Sequence, residues 1–311
     1  MAVVLLVALR VTIGWHFFYE GVWKVAHPDQ FSATPFLTTA KGPAAPLFYA
    51  MVYDIDGRQR LMPEENDQGK KVITGKIYLD AWSAQQEAAV AKYSLDDKQQ
   101  ALAKTIYDQY ADSVKLYLKE NQAEIEGYFN SLDRFEQARW AGGNNTDFQK
   151  KRNWDEQQKL RAEVNVWLGD LDAMGDEYRS ALEGLLTDEQ KAQGAISVGL
   201  TRADLMDFAV TWSLTAIGFC LIVGFCNRLA CLGGAAFLVS VLLTQPPWPT
   251  FYPPAPDVVG HALIVDKNFV EMVAMLALAC LPVGRWGGLD AFVYRWFGQP
   301  LLKRFGWKGD E

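Results

Sequence analysis

Apolar and polar positions fall in long blocks along this chain. One apolar run covers Ala2 to about Val25, and a second is "LMDFAVTWSLTAIGFCLIVGFC" from Leu205 to Cys226. A third, "LACLGGAAFLVSVLLT", spans Leu229 to Thr244, and a fourth, "NFVEMVAMLALACLPVG", spans Asn268 to Gly284. The first two have the length that crosses a ~30 Å hydrocarbon core at about 1.5 Å per residue. The last two are shorter and, read alone, have the length of buried helices in a soluble protein. Their context favours spanning. Only Asn227 and Arg228 separate the second run from the third, which predicts a tight hairpin, and Gly233-Gly234 lets helices approach closely. A cleaved signal peptide is the rival reading of the first run. That run ends in "YEGVWKVAHPDQF" without a small-residue cleavage site, so it reads as a retained helix.

The polar middle of the chain has a helical period of its own. Leu102, Ile106, Tyr110, Val114 and Tyr117, then Ile125, Phe129, Leu132 and Phe135, recur at three- and four-residue steps between Leu95 and Arg139. "AGGNNTD" (Ala141 to Asp147) is a turn signal in which Thr146 or Asp147 can cap a second periodic stretch running to about Leu186. "TDEQ" at Thr187 has the capping-box form and marks a further short helix. Residues 95–186 therefore predict an antiparallel helical hairpin. "DIDGRQRLMPEENDQGKK" before it reads as a turn-rich connector. It lacks the spacing and terminal Glu of a calcium loop.

The expected fold class is all-α, a four-transmembrane-helix bundle with an α-helical hairpin insert between helices 1 and 2. Its parts are a first span at 1–26, an extracytoplasmic insert at 27–203, spans two to four at 204–284, and an interfacial tail at 285–311. Arg228 in the short turn, with Arg285, Arg295, Lys303, Arg304 and Lys308 in the tail, places both termini in the cytoplasm by the positive-inside bias. The expected location is a bacterial inner membrane. Proline-rich "TQPPWPTFYPPAP" cannot be helix and places Trp248, Phe251 and Tyr252 at the outer headgroup level. "LDAFVYRWFGQPLLKRFGW" suits a cytoplasmic interfacial segment held by acidic lipid.

Charge and cysteine usage narrow the function classes. The formal net charge is -7, and roughly -8 of it falls between Tyr53 and Leu200, so the rest is close to neutral. An acidic chain without a basic stripe does not fit nucleic-acid binding. All four cysteines (Cys220, Cys226, Cys231, Cys280) lie in apolar runs, which argues against a disulfide-stapled domain. No CxxC or matching Cys/His spacing indicates zinc, and no metal site is expected. Axial haem ligation would have only His16 within a span. Cys226 and Cys231 read as packing residues.

The unusual feature is charge inside the spans. Arg10, His16, Glu20 and Lys24 all lie in the first apolar run. A charge at mid-bilayer costs about 2.5–3.5 kcal/mol on insertion scales, so each needs a partner. On a helical wheel Arg10, Gly14, Phe17, Gly21 and Lys24 share one stripe, which predicts a face turned against neighbouring helices. With the N-terminus inside, His16, Glu20 and Lys24 fall in the outer half. Asp207 opens span two at that depth. Asp266, Lys267 and Asn268 precede span four there, Glu271 sits one turn inside it, and His261 lies just before it. Two readings follow. One is an ion-pair network that fixes the bundle, with Arg10, Gly14 and Gly21 in packing or pairing. The other is a polar pocket of His16, Glu20, Lys24, Asp207, Trp248, His261, Lys267, Asn268 and Glu271 for a quinone-like headgroup, with His and Glu handling protons.

"LRVTIGWHFFYEGVWKV", "DFAVTWSLTAIGFCLIVGFCNRLACLGG" and "PPWP...GHALIVDKNFVEMVAMLALACLPVGRWGGLD" resemble the DoxX family of small four-span membrane proteins. With its helical insert the chain resembles an enlarged variant. The resemblance implies a quinone-linked role, because the related DoxD subunit belongs to a thiosulfate:quinone oxidoreductase. Arg10, Gly14, Gly21, Lys24, Lys267, Asn268 and Glu271 are the family-like positions, and the resemblance assigns none of them a catalytic role. The expected function is the membrane subunit of a redox complex, with no covalent cofactor, a bound quinone, and a partner subunit carrying the metal or flavin. The alternative is a non-catalytic assembly subunit whose 95–186 hairpin binds an extracytoplasmic partner.

Overall fold

The structure, a computed structural model, describes residues 1–65, 69–141, 146–196, 201–247, 261–262 and 264–298. The chain is mostly helical. It divides into two compact units, Met1–Tyr53 with Thr201–Glu311, and Asp54–Leu200.

In the first unit, α1 (Ala2–Ala26) runs unbroken until His27, whose backbone N–H closes on the Trp23 carbonyl. Pro28 follows, and a residue before proline is pushed out of helical geometry. The buried residues of α1 are Arg10, Ile13, Gly14, Phe17 and Gly21, a single stripe at three- and four-residue steps. Val4, Leu5, Trp15 and Tyr19 are exposed on its other faces. Apolar side chains that point outward are the distribution expected where lipid is the solvent. Short helices α2 (Thr34–Thr38) and α3 (Ala45–Met51) follow, and bury Leu37 and Phe48 in a small cluster against Met206 and Val210. Residues 27–53, which the sequence reading grouped with the polar insert, thus cluster with the first unit.

The second unit holds α4 (Lys76–Tyr93), α5 (Asp97–Ala141), α6 (Asp147–Gly184) and the one-turn α7 (Asp188–Lys191). Thr146 caps α6, and Thr187 and Gln190 form a reciprocal capping box on α7. The sequence reading missed α4, whose apolar positions Tyr78, Trp82, Ala89 and Tyr93 keep the helical period among polar residues. Trp82 stacks on Tyr178 of α6 with ring centroids 5.2 Å apart, and the Tyr178 hydroxyl donates to the Trp82 carbonyl at 3.2 Å. Val114, Leu118 and Ile125 of α5 meet Val164 and Leu171 of α6 in the same core. Between Asp54 and α4 the connector forms a two-stranded sheet, β1 (Glu64–Glu65) and β2 (Lys71–Val72).

The chain then returns to the first unit. Helix α8 (Arg202–Val223) starts on a Thr201–Asp204 capping box and stops at Gly224, which is left-handed at φ 66°. Helix α9 (Asn227–Thr244) follows directly. A two-residue ladder, β3 (His261–Ala262) with β4 (Val265–Asp266), leads into α10 (Lys267–Cys280), and α11 (Asp290–Val293) comes last.

Helices α1, α8 and α9 are long and apolar enough to cross a membrane. Helix α10 has 14 residues, about 21 Å of rise, and falls short of that length. The expected fourth span, Asn268 to Gly284, breaks at Leu281-Pro282 because proline ends the hydrogen-bond ladder, and a 3-10 turn takes Val283–Arg285.

Glycine sets the closest helix contacts. A Cβ on Gly14 would lie 2.8 Å from the Leu221 Cβ; one on Gly21 would overlap Thr215, and one on Gly218 the Phe18 backbone. The α1–α8 seam is therefore a small-residue crossing, where backbones meet without side chains between them. Gly234 of α9 instead seats the side-chain end of Met275 of α10, which is fully buried.

Candidate functional site

The ionisable residues of the first unit separate into two groups. In the first, His16 Nδ1 lies 3.0 Å from Glu271 Oε1, linking α1 to α10. The His16 side chain is 58% exposed and Glu271 only 17%. A carboxylate at Nδ1 requires the proton on that nitrogen, so in the neutral ring Nε2 carries the free lone pair. One turn along α1, Lys24 Nζ is 3.0 Å from Glu20 Oε2 and also donates to the Glu20 carbonyl. The Lys24 ammonium sits 5.0 Å from the Phe31 ring centroid, a cation–π distance.

The remaining positions are placed differently. Asp207 accepts the Ala33 backbone N–H at 2.6 Å, so it anchors the start of α2. Lys267 is exposed and Asn268 half-buried. The Asn268 amide donates to Asp266 at 3.2 Å. Trp248 lies outside the described residues. Of His261 only the backbone is described, in register with Asp266. The structure thus gives two pairs, His16–Glu271 and Glu20–Lys24, and no contact joins them among the described residues.

Asp266 was not among the expected site residues. It is 5% exposed and caps α10 by accepting the Phe269 N–H at 2.8 Å. An Asp three residues before the first paired N–H is the N-cap pattern, so a local signal existed.

Arg10 belongs to the second group and is 1% exposed. Its guanidinium donates to the carbonyls of Val283 (3.0 Å), Gly287 (3.1 Å) and Ile222 (3.5 Å). Of the two sequence alternatives for Arg10, packing or an ion pair, it has no carboxylate at ion-pair distance among the described residues and takes backbone carbonyls at the end of α8 and after α10. The Ile222 carbonyl lies in the last turn of α8, at the negative end of that helix's dipole, which suits a cation. Gly224 makes room for it, because a Cβ there would lie 2.6 Å from Nη1. Nearby, Asp290 accepts the N–H groups of Cys226 (2.7 Å) and Asn227 (2.9 Å) and so caps α9. No local sequence signal reaches across that separation.

In the second unit the segment read as a plain connector is a hub. The Asp54 carboxylate accepts the N–H groups of Gln59 and Arg60 and pairs with Arg60 Nε at 3.1 Å. Arg58 pairs with Asp133 (2.8 Å) and Glu136 (3.0 Å) of α5. Arg60 reaches Tyr78 of α4 and Asp172 of α6. Burial pushes the Tyr78 hydroxyl above its ordinary value, outweighing the Arg60 charge that pulls it down. These contacts join three helices through one loop. Among the described residues no group of three or more His, Cys, Asp or Glu is placed to hold a metal ion.

The fold and the outward apolar faces define a mostly helical chain with three helices able to cross a membrane. No family model, curated protein or solved structure matches it.

Proposed function

We propose that the chain is a DoxX-like integral membrane protein that presents a lipophilic, quinone-type headgroup to the His16–Glu271 pair, as the membrane subunit of a redox complex. The observation that carries this reading is the 3.0 Å contact between a half-exposed histidine and a largely buried carboxylate on two helices. His16, with Nδ1–H held by Glu271, can hand a proton at Nε2 to a quinone oxygen as the quinone is reduced, and the carboxylate steadies the imidazolium from which that proton leaves. Reduction to the quinol takes two electrons, which a partner subunit carrying a metal or flavin would supply, and two protons, one through His16 and one from water. In this reading α10 and the turn after it form a fourth, short crossing, accommodated by local bilayer thinning. Both termini lie in the cytoplasm of a bacterial cell, and the 54–200 unit lies outside.

The test is quinone binding by the full chain in nanodiscs. His16→Ala and Glu271→Gln should each weaken binding of a ubiquinone or menaquinone analogue roughly tenfold or more, the size of one lost charge-assisted hydrogen bond. A second reading, a docking subunit without chemistry, is favoured by exposed apolar residues on α5 and α6: Leu116 at 55%, Phe148 at 75% and Val166 at 60%. It prevails if both variants bind quinone as the parent does while deleting residues 95–186 dissolves the native complex.

A further inference from the structure

Where α8 turns into α9 the first unit leaves a cavity of about 350 Å³, on whose wall lie Asn227, Arg228, Leu229, Arg285, Asp290 and Tyr294. Its polar groups are unevenly satisfied. An α-helix begins with four N–H groups that lack partners within the helix. Asp290 takes those of Cys226 and Asn227 at the start of α9. The next two, of Arg228 and Leu229, have no acceptor among the described residues. Asn227 is 1% exposed, yet neither its Oδ1 nor its Nδ2 has a hydrogen-bond partner among the described residues. Buried carboxamides are normally paired, so this one marks the place of a missing partner.

The charges around it favour an anion. Arg228 and Arg285 are both exposed, and neither has a carboxylate within ion-pair distance among the described residues. The Arg285 guanidinium lies 3.6 Å from the Tyr294 ring centroid, which holds its plane and leaves its N–H edge for an acceptor. Two guanidiniums face one carboxylate already committed to backbone, at the positive end of the 18-residue helix α9. Leu229 (71% exposed) and Val293 (39%) supply apolar surface on the same wall.

We propose that this cavity binds the phosphate ester of an anionic phospholipid, with the phosphate between Arg228, Arg285 and the first turn of α9. The acyl chains then run along Leu229 and Val293, and the Asn227 amide meets the headgroup. The proposal rests on the membrane reading of α8 and α9 but not on the quinone site, so lipid preference and quinone binding can fail separately.

The experiment is native mass spectrometry of the full chain offered equal phosphatidylglycerol and phosphatidylcholine. The parent should retain phosphatidylglycerol by roughly tenfold, as expected for bidentate arginine–phosphate contacts. Arg228→Gln with Arg285→Gln should bring the two lipids to parity, Asn227→Leu should reduce the preference, and Arg295→Gln, outside the cavity wall, should leave it. Equal retention by the parent overturns the proposal. So does an Arg295→Gln loss as large as that of the double variant, which would mean diffuse surface charge. If millimolar inorganic phosphate raises the melting temperature of the parent but not of the double variant, with no lipid preference, the phosphate is a soluble one and the lipid assignment fails.

Discussion

Arg10 shows how a charge becomes tolerable inside an apolar helix. Its guanidinium reaches three backbone carbonyls, that of Ile222 in the last turn of α8 and those of Val283 and Gly287 after α10, through Nη1 and Nη2, while Nε has no partner among the described residues. A lysine has the charge but not the fork. Arg10→Lys is expected to lower stability in detergent by about 2–3 kcal/mol, read from the unfolding midpoint. An unchanged midpoint would mean that the fork is dispensable. In the second unit, burial pushes the Asp56 carboxyl above its ordinary value despite Arg161 at 3.7 Å, which pulls it down. Its folded-state pKa is raised, so between the ordinary value and the raised one the folded form holds the extra proton. Stability there rises as pH falls and is lost as pH rises through the window. Asp56→Asn should therefore make the slope of unfolding free energy against pH more positive in the acid range, by removing a contribution that falls as pH rises. A slope made more negative in the variant would contradict the sign.

Among the elements, the α1–α8 seam depends on absent side chains. Gly218 faces the Phe18 backbone so closely that any Cβ must push the helices apart. Gly218→Leu is expected to cost about 1–3 kcal/mol or more by overpacking, and to remove the cooperative thermal transition of the first unit in detergent. The same substitution at Gly233, where a Cβ would have 3.6 Å to Ile217, should be mild by comparison. If the two variants melt alike, close approach is not what holds this seam. Helices α5 and α6 work differently. Their 45 and 38 residues are too long for propensity alone to hold in register, and Val114, Ile125, Val164 and Leu171, all fully buried, hold the pair.

For the molecule as a whole, the two units solve opposite solvent problems. The first buries glycine, Arg10 and Asn227 while Trp15, Phe208, Trp212 and Leu229 face outward. The second buries Trp82, Tyr128, Trp167 and Tyr178 and exposes most of its charges, with a core of its own. Residues 54–200 expressed alone should therefore be soluble without detergent, strongly helical by circular dichroism, and unfold in a single thermal transition. Precipitation, or a melt without cooperativity, would show that this core depends on the rest of the chain.

The sequence by itself determined whatever depends on period and composition. The apolar runs mark α1, α8 and α9, the three- and four-residue steps mark α5 and α6, and "TDEQ" marks α7, because helix formation reads neighbours three and four residues away. The stripe of Arg10, Gly14, Phe17 and Gly21 was visible for the same reason, and these four are all buried. Helix α4 escaped because its apolar positions are thinned by alanine, glutamine and serine, which blur the contrast between faces. Only the tertiary structure decided where each charge goes. It gave Arg10 to carbonyls near residues 222, 283 and 287, and Asp290 to the start of α9. It tied Asp207 to Ala33 and made the 54–60 loop the tie between α4, α5 and α6. A hydrogen bond is a matter of ångströms and angles between particular atoms, and no local pattern encodes a partner more than a hundred residues away. The charges of the first helix announced themselves as unusual in the sequence, but their partners exist only in the fold.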